Sequence, residues 1–185
     1  MSMKARVAVV FGQFGAAADP QNLPRFRFRL TSAGLETILV QHTDSQKAFD
    51  FLHGFGGFCA VVGASLGAMS AIVFAGYLAP QTIHFAGGFQ PSDFDPSGHT
   101  VSIPVKTEFG DDLITRAIEV PTNVCEALCF RNPQLALTGG LGHATYVAAD
   151  PQKTKLTVVN NLDVHPGDFG DAADAMFNTI TERAR

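Results

Sequence analysis

The chain has 185 residues, 46% of them hydrophobic and 16% charged, which suits one domain over residues 1–185 with a full sheet and helices on both faces. A formal charge of -4 and the lack of any Lys/Arg run argue against nucleic acid as a partner. No apolar stretch reaches the roughly 18 residues of a membrane span without a glycine-rich turn inside it. The N-terminus passes from Met1 and Lys4 straight into a strand, without the pattern of a signal peptide. Cys59, Cys125 and Cys129 cannot all pair, and buried thiols are the expected state of all three. Both features point to a reducing cytoplasm. No His/Cys/Asp set has metal-ligand spacing, so neither a metal nor an organic cofactor is expected.

In chain order, residues 6–11 form a β-rich run, apolar on both faces as a central parallel strand would be. Gly12, Gln13, Phe14 and Gly15 follow as a loop. Helix-start chemistry at Asp19, Pro20, Gln21 and Asn22 opens a helix with Pro24 tolerated in its first turn and a stripe of Phe26, Leu30 and Leu35. Residues 36–40 are the second strand. Asp44 or Ser45 caps a short helix through Ala48, Phe51 and Leu52, which the glycine-rich residues 53–57 end. Residues 58–62 are a buried strand, residues 63–67 a tight turn, and an Ala-rich apolar helix follows, closed by Ala79 and Pro80. Residues 82–86 form the next strand, punctuated by Gly87 and Gly88. Strands alternating with helices at this spacing imply a parallel sheet with right-handed crossovers.

The second half is less regular. Residues 89–98 carry turn chemistry, and 101–109 alternate apolar and polar, a one-sided strand that Pro104 assigns to an edge. Residues 123–130 fit a short helix with an Asn123/Glu126 capping box and fit a strand equally well. Residues 134–138 look like a buried strand opening into the glycine-rich 139–143. Residues 155–159 are the last strand, and 171–180 form the terminal helix. Among the histidines, His42, His53 and His99 read as solvated loop residues, and His84 lies within a strand.

The chemistry centres on Ser65, at the tip of the turn between an apolar strand and an apolar helix. Gly63 and Gly67 supply the missing side chains that let strand and helix pass closely. The N–H of Leu66, at the helix start, can face a developing oxyanion. A dinucleotide-binding turn is the rival reading, but Met69 stands where a third glycine belongs, and neither Tyr77 nor Tyr146 begins a Tyr-x-x-x-Lys. The bland reading makes Ser65 only a small residue at a tight turn.

Gly63, Ser65 and Gly67 in this strand-to-helix setting resemble the nucleophile elbow of the α/β-hydrolase superfamily, and the short chain resembles its small, nearly lidless cutinase-like esterases. The resemblance implies a minimal α/β-hydrolase fold: one three-layer domain with a mostly parallel sheet, without the N-terminal β-hairpin. It implies a serine esterase acting on a neutral or apolar small-molecule acyl substrate. The loop after the first strand then corresponds to the second oxyanion loop, with Phe11 in the place of its usual histidine and the N–H of Gln13 completing the hole.

A serine hydroxyl needs an imidazole within reach to act as a nucleophile at neutral pH. His165 leaves the end of the final strand, where the superfamily keeps its base. His143 is the alternative; with Tyr146 it is similar to the cutinase His-x-x-Tyr loop, although that family's preceding aspartate is missing. For the acid, Gly110, Asp111 and Asp112 look like the superfamily's acid loop one residue short, with Asp112 chosen and Asp111, Asp93 and Asp95 as alternatives. The order Ser65, Asp112, His165 follows the superfamily's. A non-catalytic binding module on the same scaffold is the competing class.

Overall fold

The computed structural model describes residues 4–12, 22–91, 100–106, 112–132, 145–161 and 169–185. Among them are nine strands: β1 (Ala5–Phe11), β2 (Glu36–Gln41), β3 (Phe58–Ala64), β4 (Ile83–Phe89), β5 (Thr100–Lys106), β6 (Asp112–Val120), β7 (Val124–Arg131), β8 (Thr145–Ala148) and β9 (Lys155–Asn160). The helices are α1 (Asn22–Ser32), α2 (Ser45–Leu52), α3 (Leu66–Tyr77) and α4 (Asp171–Arg183).

Six strands form one sheet in the order β2-β1-β3-β4-β7-β9, parallel at every pairing. Both faces are buried. Val7, Val9, Ala60, Val62 and Phe85 pack under α1 and α4, while Ala8, Val10, Cys59, Val61 and Ala86 pack under α2 and α3. This double burial is why the central strands read as continuous apolar runs. The sheet is wound one way from β1 to β2 and the other way from β2 through β3 to β4. With right-handed crossovers that reversal puts α1 on one face and α2 and α3 on the opposite one. A parallel sheet layered between helices, with a serine turn at the end of a central strand, is a three-layer α/β fold.

A smaller sheet, β5-β6-β8, joins β5 and β6 antiparallel and β6 and β8 parallel. Ile118, Val120 and Tyr146 share one buried cluster with Met69, Ile72, Phe74 and Ala75 of α3. The helix is therefore covered by the parallel sheet and again by this smaller one, so it is apolar all round instead of along one stripe. Pro104 lies in β5, an edge of the smaller sheet, where its missing N–H breaks no interior ladder.

Several expectations need correction. β4 does not stop before Gly87 and Gly88 but runs through them to Phe89. A Cβ at Gly87 would lie 2.5 Å from the Met176 sulfur, and one at Gly88 would overlap the Tyr146 hydroxyl. These glycines admit neighbours; they do not turn the chain. Residues 123–130, which the sequence left open between helix and strand, fall almost wholly in strand β7, between β4 and β9. Cys125, near the start of β7, is exposed, while Cys59 and Cys129 are buried. Neither β6 nor β8 was foreseen. The expected strand at 134–138 lies outside the described residues.

Candidate active site

Ser65 joins β3 to α3 with φ 54° and ψ -127°. Few side-chain-bearing residues occupy this region, and holding one there costs on the order of 1–3 kcal/mol. The surroundings over-determine it. The Ser65 N–H donates to the Phe89 carbonyl at 3.0 Å, and the Ser65 carbonyl accepts from the Ala68 N–H at 3.0 Å. A Cβ on Gly63 would overlap the Gly67 backbone, and one on Gly67 would overlap the Val10 carbonyl. The two glycines thus let α3 start directly against the ends of β3 and β1. Ser65 is half-buried at the mouth of this turn.

As the first residue of α3, Leu66 has an N–H without a carbonyl four residues back in the helix. Gly12, immediately after β1, stands beside both: an added Cβ would lie 3.2 Å from the Ser65 Cβ and 3.6 Å from the Leu66 nitrogen. The space a side chain would fill at Gly12 is space next to the serine and the Leu66 N–H. Gly12 follows β1 and Ser65 follows β3, adjacent parallel strands between which the winding reverses. Open α/β sheets bind ligands in the crevice at such a reversal, outside the carboxyl ends of the strands.

The backing of the turn is aromatic and dry. Phe89, whose carbonyl holds the Ser65 N–H, stacks on Phe169 with centroids 4.3 Å apart and meets Phe26 edge-on at 5.7 Å. On the opposite side the buried Tyr146 hydroxyl donates to the Ala68 carbonyl at 3.2 Å. Burial pushes the ionisation of Tyr146 well above its ordinary value, so it stays a donor. The neighbouring Cys129 thiol is pushed up to about 12 by burial and is no nucleophile.

Of the described histidines, His53 and His84 lie as the sequence reading has them and His42 does not. His53 is exposed and stacks on Phe49 at 4.8 Å. His84 lies in β4, where its Nδ1 accepts the Cys59 N–H at 3.1 Å. Burial lowers its pKa, in keeping with a neutral ring accepting at that nitrogen. His42 is not simply solvated: it is half-buried, and its Nδ1 lies 3.2 Å from the Gly12 carbonyl. The signal for it is a histidine one residue beyond β2, beside β1 in the sheet, but its partner is 30 residues away in sequence.

Of the residues singled out by sequence, Ser65 and Leu66 are adjacent at the turn. Asp112 is the first residue of β6, opposite Lys106 of β5. The segment before it joins two antiparallel strands of the smaller sheet, so it does not leave the carboxyl end of a strand in the parallel sheet. Gln13, Asp93, Asp95, His99, Asp111, His143 and His165 lie outside the described residues. Among the described residues no group of three or more His, Cys, Asp or Glu could hold a metal ion, and no helix is long and apolar enough to cross a membrane.

No family model and no curated protein matches the chain. Two solved structures resemble it over nearly their whole length. One is a candidate hydrolase of the alpha/beta superfamily from Xanthomonas campestris pv. campestris, 12% identical, covering 95% of this chain and 96% of its own, with a TM-score of 0.48. The other is Est1E from Butyrivibrio proteoclasticus, 13% identical, covering 98% of this chain and 87% of its own, with a TM-score of 0.49.

Proposed function

We propose that the protein is a serine hydrolase of esterase type, acting on neutral or apolar acyl esters through an acyl-enzyme on Ser65. The observation that carries this reading is a serine held at positive φ at the winding reversal of a parallel sheet, with Gly12 leaving open the space beside it. In this reading the Ser65 hydroxyl attacks the ester carbonyl while His165 takes its proton. His165 then returns the proton to the leaving alcohol, and water repeats the sequence to release the acid. A carboxylate orients His165 and stabilises its imidazolium: Asp112 in the sequence reading, with Asp111, Asp93 and Asp95 as the alternatives now that Asp112 falls in the smaller sheet. The N–H groups of Leu66 and Gln13 bind the oxyanion, each worth about 10²–10³ in turnover.

Two features support His165 over His143. The final strand β9 runs parallel to the rest of the sheet and so ends on the same edge as Ser65. Four residues after His165, the chain is anchored by Phe169 stacked on Phe89, the residue whose carbonyl holds the Ser65 N–H. His143 is three residues before Tyr146, which is bonded to the first turn of α3, and remains the alternative base.

The test is hydrolysis of p-nitrophenyl esters of increasing acyl length. We expect turnover that favours short chains, in keeping with a shallow site, and that falls by at least 10³-fold in Ser65→Ala. Equal turnover by Ser65→Ala would remove the serine from the mechanism.

A further inference from the structure

We propose that the cavity between the amino-terminal halves of α1 and α4 is an anion subsite, centred on Arg25, for a carboxylate carried by the leaving alcohol of the substrate. The inference rests on the serine-hydrolase reading above and adds to it: the acyl part stays neutral and the alcohol bears the charge. The cavity has a volume of about 360 Å³, and Arg25, Phe26 and Arg29 of α1 line it together with Phe169 and Asp174. Aromatic contacts fix its place. Phe169 stacks on Phe89 at 4.3 Å, and Phe26 meets the same ring edge-on at 5.7 Å. Phe89 is the last residue of β4, and its carbonyl accepts the Ser65 N–H at 3.0 Å. At the other end of α4, Arg183 reaches Glu126 near the start of β7. The helix therefore begins at the edge of the parallel sheet where Ser65 stands, and the cavity opens beside it.

The chain as a whole has a net charge of -4, but this cavity does not share it. Its charged lining is Arg25, Arg29 and Asp174, two cations against one carboxylate. That carboxylate is already engaged, with Asp174 Oδ1 2.6 Å from Arg29 Nη1. The Arg29 guanidinium also lies over the Phe177 ring, 4.4 Å from its centroid, so its direction is fixed. Arg25 precedes Arg29 by four residues, one helical turn, and lines the same space. It is exposed and has no ion-pair or hydrogen-bond partner among the described residues. The planar fork of an arginine matches a carboxylate, and the cavity already holds one carboxylate on arginine, that of Asp174. Arg25 leaves the charge for a second. Phe26 and Phe169 are almost fully buried and give the space a dry floor, which suits an apolar stem behind the anion.

The test uses p-acetoxyphenylbutanoate, whose leaving phenol carries a carboxylate on an apolar stem, against its uncharged primary amide. The readout is the ratio of kcat/KM for acid and amide in the native chain, Arg25→Gln and Asp174→Asn, with folding followed by far-UV circular dichroism. We expect the ratio to fall about fivefold in Arg25→Gln, the modest size an exposed arginine allows. It should rise in Asp174→Asn, which releases Arg29, and the effect of Arg25→Gln should shrink in high salt. A folding defect would slow both esters together and would not send two variants of one cavity in opposite directions. Binding of phenylbutanoate, followed by isothermal titration calorimetry, reads the site without turnover. Its affinity should weaken about fivefold in Arg25→Gln. A ratio that Arg25→Gln leaves unchanged overturns the proposal while leaving the serine reading intact. A native chain without Ser65-dependent turnover overturns the serine reading instead. Phenylbutanoate binding then decides the anion site alone, and equal affinity in native and Arg25→Gln chains overturns it.

Discussion

At Ser65 the chain holds an L-residue at φ 54°, and that geometry has a measurable signature apart from activity. Glycine tolerates the conformation, so Ser65→Gly relieves strain that Ser65→Ala keeps, against roughly 0.5–1 kcal/mol of added backbone entropy. Ser65→Gly should therefore be more stable than Ser65→Ala by about 1 kcal/mol in urea unfolding. An alanine variant as stable as the glycine one would mean the turn is relaxed. Gly12 makes the complementary demand. A methyl there would sit 3.2 Å from the Ser65 Cβ and intrude beside the Leu66 N–H. Gly12→Ala should lower kcat about 100-fold with a melting temperature within a few degrees of native, which steady-state kinetics and calorimetry can check together. Ser65 was legible because its constraint is local: a glycine two residues away on either side, a strand before and a helix after. His42 was not, because nothing near it in sequence shows that its ring meets a carbonyl 30 positions earlier.

At the scale of elements, α4 is tied to the sheet through Glu126 of β7, next to the edge strand β9. That carboxylate accepts from Arg183 of α4 at 2.8 Å and from Lys155 of β9 at 3.0 Å. The hydrogen bond from Arg183 is the largest cause holding its pKa below the ordinary 4.5, against a smaller opposing effect of burial. A lowered folded-state pKa adds stability above the unfolded value that is lost as the pH falls through the folded one. Glu126→Gln should therefore melt earlier than native near pH 7, with the gap closing as the pH drops below about 4.5. Both partners are largely exposed, so the difference at pH 7 should be modest and shrink in salt. A gap unchanged down to pH 3 would contradict this origin. Elements with their own period were readable here: β1, β3, α3 and α4 lie where their apolar runs put them. β7 was ambiguous because burial on both sides of a sheet leaves no alternation to separate strand from helix. β4 was cut short because Gly87 and Gly88 look like a turn until Met176 and Tyr146 are seen to occupy their side-chain space.

For the whole molecule, the parallel sheet places the ends of β1, β3, β4, β7 and β9 along one edge, with the winding reversal between β1 and β3. The smaller sheet, folded over α3, fastens the elbow helix from the other side through Tyr146 and Ala68. Periodicity did not reveal that second layer, since β6, although paired with the neighbouring β5, takes its other partner β8 from a distant part of the chain. The architecture gives Ser65 a rigid frame, and the central claim is that this frame serves an activated nucleophile. A serine at a turn that merely shapes a binding surface has no base beside it and reacts no faster than any other hydroxyl. Reaction of the folded chain with a fluorophosphonate, read by intact-mass and peptide mass spectrometry, tests this most directly. The account predicts one adduct, on Ser65, strongly slowed in His165→Ala but not in His143→Ala. A folded chain that forms no adduct on Ser65 would contradict it and favour a binding module built on the same fold.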